Sequence, residues 1–185
     1  MKWLAIGIVV AILLYAVMVY NRLVALRQAC GQAWADVDVQ LKQRHDLVPN
    51  LVETVKGYAA HERGTLEAVV QARQAAVSAA TPAEQAAAEN QLTGALCQVF
   101  ALVEAYPDLK ANQNFLQLQA ELADLENKIA AARRFFNNAT AEFNASIEQF
   151  PAVLFARSLG FSHREFFEIE AGERAAATAA PQVKF

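Results

Sequence analysis

Three histidines, two cysteines and a scatter of carboxylates are the groups in this 185-residue chain that could do chemistry. A zinc-protease helix needs His-Glu-x-x-His, so that two imidazoles one turn apart hold the metal beside a glutamate base. His61-Glu62 begins that pattern, but Arg63-Gly64-Thr65 follows, and the second ligand is missing. Di-iron bundles place Glu-x-x-His on inward faces. None of His45, His61 or His163 has a glutamate three residues before it. Glycine-rich phosphate loops and a serine nucleophile elbow are also missing. Cys30 and Cys97 stand far apart without CxxC spacing, both inside helical pattern, and read as small apolar fillers. The residues therefore point to no catalytic group, no cofactor and no metal, and to a protein that is not an enzyme.

What remains is surface for recognition. Arg44, Asp46, Asn50 and Glu53 surround Pro49, and Asp108, Lys110 and Asn114 follow Pro107. If both prolines mark turns at one end of a bundle, these groups form a polar tip for a partner; the plainer account is mutual capping and loop closure. Glu84, Glu89, Glu121, Asp124 and Lys128 read as solvated helix faces. Asn112, Asn114, Asn127, Asn137 and Asn144 are poor helix formers and suit interhelical hydrogen bonds that fix register. Phe150, Phe155, Phe161, Phe166 and Phe167 make the C-terminal stretch the most aromatic part of the chain. They suggest a self-association or interfacial surface. The plainer account of that stretch is a short helix folded over an open bundle end.

These groups are positioned by a greasy opening and by helices. Trp3 to Tyr20, with Ile12 at its middle, carries no charge and no proline. At about 1.5 Å per residue it is just long enough to cross a hydrocarbon core of about 30 Å. It ends in Met18-Val19-Tyr20-Asn21-Arg22 without a small-x-small cleavage site, which favours a retained transmembrane anchor over residues 1–22. Lys2 before it and Arg22 and Arg27 after it lean toward a cytoplasmic C-terminal domain, with a periplasmic one left open. The net charge of −3 is spread through both signs and gives no basic surface for nucleic acid.

Beyond the anchor the pattern is helical throughout, which makes the fold class all-α. Leu23, Leu26, Cys30, Val37 and Leu41 form one stripe with no break from the anchor. Pro49 predicts a turn, with a kink-only alternative, and a second helix then runs to about Ala80, weakened at Gly57 and Gly64. Thr81-Pro82-Ala83-Glu84 is a capping-box start. Pro107 ends that third helix, and the fourth, from Leu109 to Phe150, keeps heptad spacing. The expectation is an up-down bundle of four long helices over residues 23–170, closed by a short aromatic helix, with a disordered tail at 171–185.

Residues 38–58, DVQLKQRHDLVPNLVETVKGY, with His61-Glu62 and Thr65-Leu66, closely resemble the signature of the LemA family of bacterial membrane proteins. Residues 106–116, YPDLKANQNFL, then Glu121-Leu122, Glu126-Asn127, Phe143-Asn144, Phe150-Pro151 and Gly160-Phe161, are similar to that family's long helix. Phe136, Phe143 and His45 are mild departures at positions where another aromatic is usual. The resemblance implies a single N-terminal span in the bacterial inner membrane, a short outward N-terminus and a bundle of long helices. It also implies a role in membrane organisation, since the family includes a protein needed for magnetosome membrane formation, and it transfers no catalytic residue. The function expected is a non-enzymatic, membrane-anchored scaffold whose partners are the lipid bilayer and further copies of itself. The alternative is an adaptor that regulates a membrane-protein partner through the tip.

Overall fold

The computed structural model describes residues 2–167, and every regular element within them is helical. The elements are α1 (Lys2–Lys56), α2 (Arg63–Ser78), α3 (Pro82–Val103), the single turn α4 (Pro107–Lys110), α5 (Gln113–Glu148) and a 3-10 turn at Ala152–Leu154. The expected tail at 171–185 lies outside the described residues.

α1 joins the apolar opening to the first bundle stripe without interruption, as its pattern required. The expected reversal at Pro49 does not occur, because Pro49 lies inside α1. Proline has no N–H to give the carbonyl four residues back, here that of His45. That carbonyl instead accepts a hydrogen bond from Arg73 Nε of α2 at 2.7 Å. The chain turns later, over 57–62, where Ala59 N bonds Val55 O at 2.9 Å and Glu62 N bonds Ala59 O at 3.0 Å.

The described chain forms two compact units, and both α1 and α5 contribute to each. One consists of Asp38–Ala130 with Phe166 and Phe167. In it the end of α1, α2, α3 and the first part of α5 alternate in direction. At one end Tyr106 Oη donates to Glu62 Oε1 at 3.2 Å and Asn112 Nδ2 to Tyr58 Oη at 2.9 Å. At the other, Gln85 Nε2 of α3 donates to Ala76 O of α2 at 3.0 Å. Val48, Leu51, Val55, Leu66, Val69, Leu92, Val99, Phe115 and Leu122 are buried between the four segments. Each such side chain contributes about 1.5–3 kcal/mol as an upper bound. The capping box at the start of α3 is formed: Thr81 Oγ1 accepts from Glu84 N at 3.2 Å and Glu84 Oε2 from Thr81 N at 3.2 Å.

The other unit consists of α1 up to Val37, α5 from Ala131, and the chain to Glu165. The two helices run antiparallel, with Trp34 and Phe136 ring centroids 5.1 Å apart and the Cys30 thiol donating to Ala139 O at 3.2 Å. After α5 the expected aromatic helix is reduced to the 3-10 turn Ala152–Leu154, further turns, and irregular chain to Phe167. Pro151 and Gly160 leave too few residues between them to meet the cost of nucleating an α-helix. Gly160 takes φ +78°, a conformation open to glycine, and Phe161 N then bonds back to Ala156 O at 3.0 Å. Asn144 of α5 stands in for missing backbone partners, donating from Nδ2 to Arg164 O and accepting from Arg164 N through Oδ1, both at 2.9 Å.

Candidate functional site

The bundle unit hides a charged cluster inside its apolar core. Arg44 has a side chain 2% exposed and Glu89 one 4% exposed, and they form an ion pair through Arg44 Nη2 and Glu89 Oε2. Arg44 Nη1 donates to Glu126 Oε2 at 2.7 Å and to Thr93 Oγ1 at 3.1 Å. The other Glu89 oxygen accepts from His45 Nε2 at 2.7 Å and from Gln85 Nε2 at 2.9 Å. Among the described residues Arg44 Nε finds no partner. Burial alone would raise the Glu89 carboxyl. The His45 hydrogen bond, with the charge and hydrogen bond of Arg44, outweighs it and holds the group below the usual carboxylate range.

Arg44 and His45 come from α1, Gln85, Glu89 and Thr93 from α3, and Glu126 from α5. Arg44 is therefore not a tip residue, because its guanidinium is consumed inside the bundle. Glu89 is likewise no solvated face. A signal for both was present, since Gln85, Glu89, Leu92, Leu96, Val99 and Val103 step by four and three along one stripe. Leu41, Arg44, Val48, Leu51 and Val55 do the same on α1. A charge at a core position of a stripe is the mark of a buried pair.

The other expected tip residues are separated. Asp46, Asn50 and Glu53 are exposed along α1, Asp108 and Lys110 on α4, and Asn114 at the start of α5. The polar end of this unit is made instead by Tyr58, Glu62, Tyr106 and Asn112, together with the Lys110–Glu104 ion pair at 2.5 Å. Partial burial, then the hydrogen bond and charge of Glu62, raise the Tyr106 phenol. Asn112 also caps α5, its Oδ1 accepting from Phe115 N at 3.1 Å.

In the other unit Trp3, Ile12 and Tyr20 are exposed on α1, as are nearly all the apolar side chains around them. α1 is long and apolar enough to cross a membrane, and among the described residues nothing buries its most apolar stretch. The aromatic set divides. Phe161 is buried, stacked edge-on to Tyr20 with centroids 5.8 Å apart and lying 5.2 Å beneath the Arg27 guanidinium. Phe155 is half-buried, Phe167 is buried, and Phe150 and Phe166 are exposed, so Phe161 and Phe167 are unavailable to a partner. Both cysteines are free. Burial pushes the Cys30 thiol up, whereas Cys97 is exposed and fills no core position.

A helical bundle reached through an exposed apolar span defines a class, the membrane-associated helical-bundle proteins. Residues 33–185 match the family model described as the LemA family. The chain belongs to the LemA family. It is similar to the Magnetosome protein MamQ of Magnetospirillum gryphiswaldense, 26% identical over 85% of this chain and 68% of that protein. It is also similar to the Magnetosome protein MamQ 2 of Paramagnetospirillum magneticum, 24% identical over 86% and 68%. A third relative is Protein LemA of Metamycoplasma hominis, 29% identical over 72% of this chain and 61% of that protein.

Proposed function

We propose that the protein is a non-enzymatic scaffold of the bacterial inner membrane, its C-terminal domain cytoplasmic, that self-associates and gathers partners at the bilayer. The observation that carries this reading is the continuity of α1, whose exposed apolar opening leads without a linker into a bundle helix. A domain joined to the span by one continuous helix stays at the bilayer with whatever shares its membrane. The buried cluster also favours a structural role. Arg44 and His45 both engage the Glu89 carboxylate, and all three side chains are buried rather than open to a substrate. Relatives named for the magnetosome support a part in organising membrane. The test is extraction of the full chain in native nanodiscs, followed by mass determination. More than one chain per disc, or a second protein in fixed proportion, is expected. A lone monomer throughout would overturn the proposal.

A second reading, an adaptor for a membrane protein, is favoured by a groove of about 610 Å³ lined by Val52, Lys56, Arg63, Leu66, Glu67 and Val70. It lies beside the turn at 57–62 rather than at Pro49. Val70→Glu should abolish partner recovery with helicity intact if this groove is the docking surface. Unchanged recovery removes it.

A further inference from the structure

The C-terminal turn closes on the last turn of the span. Val19 packs against the cluster formed by Leu23, Phe143, Ile147, Ala152, Ala156 and Phe161, which joins the lipid-facing helix to the chain after α5. The antiparallel register says where that chain emerges. Trp34 meets Phe136 and Cys30 meets Ala139, so each step forward on α5 is matched by about one step back on α1. Continued to its end, α5 brings Glu148 level with Asn21 and Arg22, and the residues that follow sit beside Val19 and Tyr20 at the mouth of the span.

At that level the turn turns its apolar groups outward. Phe150 is 80% exposed, Val153 52% and Leu154 73%, while the neighbouring Ala152 and Ala156 are buried. Three large apolar side chains side by side in water are costly, and no other described segment of this unit covers them. Charged groups flank them: Arg22 follows the span directly, and Arg157 shares with Val153 a cleft of about 470 Å³ that Glu148 and His163, paired with each other, also line. Apolar groups at the end of a membrane helix with arginines beside them match the layered chemistry of a bilayer interface, acyl chain below and phosphate above.

We propose that the turn Phe150–Leu154 inserts into the interface of the leaflet from which α1 emerges, so that the chain holds the membrane at two points. The packing of Ala152, Ala156 and Phe161 against α1 fixes the depth of this second contact. A single helix is free to rotate and tilt; a helix with an apolar foot beside it is not.

The test is made on the full chain in nanodiscs, in a Cys30→Ser, Cys97→Ser background. Nitroxide labels are placed singly at Phe150→Cys, Leu154→Cys, and the exposed bundle control Gln117→Cys. Oxygen, which concentrates in lipid, and a water-soluble nickel chelate are used as relaxation agents. The labels at 150 and 154 should be several-fold less accessible to nickel than the control and more accessible to oxygen. Equal nickel access at all three sites overturns the proposal. Protection from both agents that vanishes in discs holding one chain also overturns it, because a second copy is then the cover. Circular dichroism of each labelled chain guards against misfolding, and Val153→Cys serves as a replacement site.

Discussion

Replacing Arg44 with methionine should be among the most destabilising single changes in the bundle. The side chain is 2% exposed and faces a Glu89 carboxylate that is 4% exposed, so its loss leaves a buried anion with only His45 and Gln85 for partners. Breaking such a pair from one side costs about 3–5 kcal/mol. The lost bond to Glu126 adds little, because that carboxylate is 48% exposed and water replaces the guanidinium. His45 and Gln85 still hydrogen-bond the other Glu89 oxygen, which places the expected loss near the lower end, about 3 kcal/mol. That is a large share of the about 5–15 kcal/mol that usually holds a domain together. The double variant Arg44→Met, Glu89→Leu should recover most of it, since it removes both buried charges.

Acid sharpens the test. Glu89 is held below its unfolded value of 4.5, so its stabilisation is present above that pH and is lost as pH falls through the lower folded value. Without Arg44, burial regains influence and the carboxyl rises, so this part of the acid loss shrinks or reverses. Urea unfolding of the full chain in detergent, followed by circular dichroism at pH 7 and at several values below pH 4.5, reads both effects. A loss under about 1 kcal/mol for Arg44→Met, or a double variant no more stable than the single one, would refute the reasoning.

Three further outcomes are expected. Arg73→Ala should cost about 1–2 kcal/mol by orphaning the His45 carbonyl, but much less in a Pro49→Ala background where residue 49 regains its donor; equal losses in the two backgrounds would show that the bond is not the compensation described. Thr81→Ala should lower stability by about 1 kcal/mol through the lost cap of α3, measured by the same urea titration, whereas Thr81→Asn should be nearly neutral. Asn144→Ala removes two bonds to the Arg164 backbone, so trypsin should cut after Arg157 or Arg164 several-fold faster while the bundle transition stays in place.

The sequence made the helical class, the exposed span and the start of α3 readable, because each rests on local signals: an uncharged run, a period near 3.6 and a capping box. It misled at Pro49 and at the charged cluster, and both errors have one cause. Proline breaks a helix unless some other group takes the freed carbonyl, and that group, Arg73, is 28 positions away in the chain. A glutamate reads as solvated unless its stripe is followed through it, and the cation that justifies burying Glu89 lies on a different helix, 45 positions back. The aromatic C-terminal stretch was noticed for its composition, but which rings face inward depends on Gly160 and Asn144. Neither residue carries a helical period that would reveal the chain's path.

Pro49 and the buried cluster are parts of one arrangement. His45 is held twice from outside its own helix, its ring by Glu89 of α3 and its carbonyl by Arg73 of α2. The stretch from Arg44 to Pro49 is where α1 depends most on its neighbours, since it carries a proline that local forces would not place in a helix interior. Continuity of α1 through this stretch is therefore a tertiary property: it exists when α2 and α3 are docked and weakens when they are not. Pro49 lies within the bundle unit, so this dependence belongs to the part of α1 that packs there and not to the apolar span.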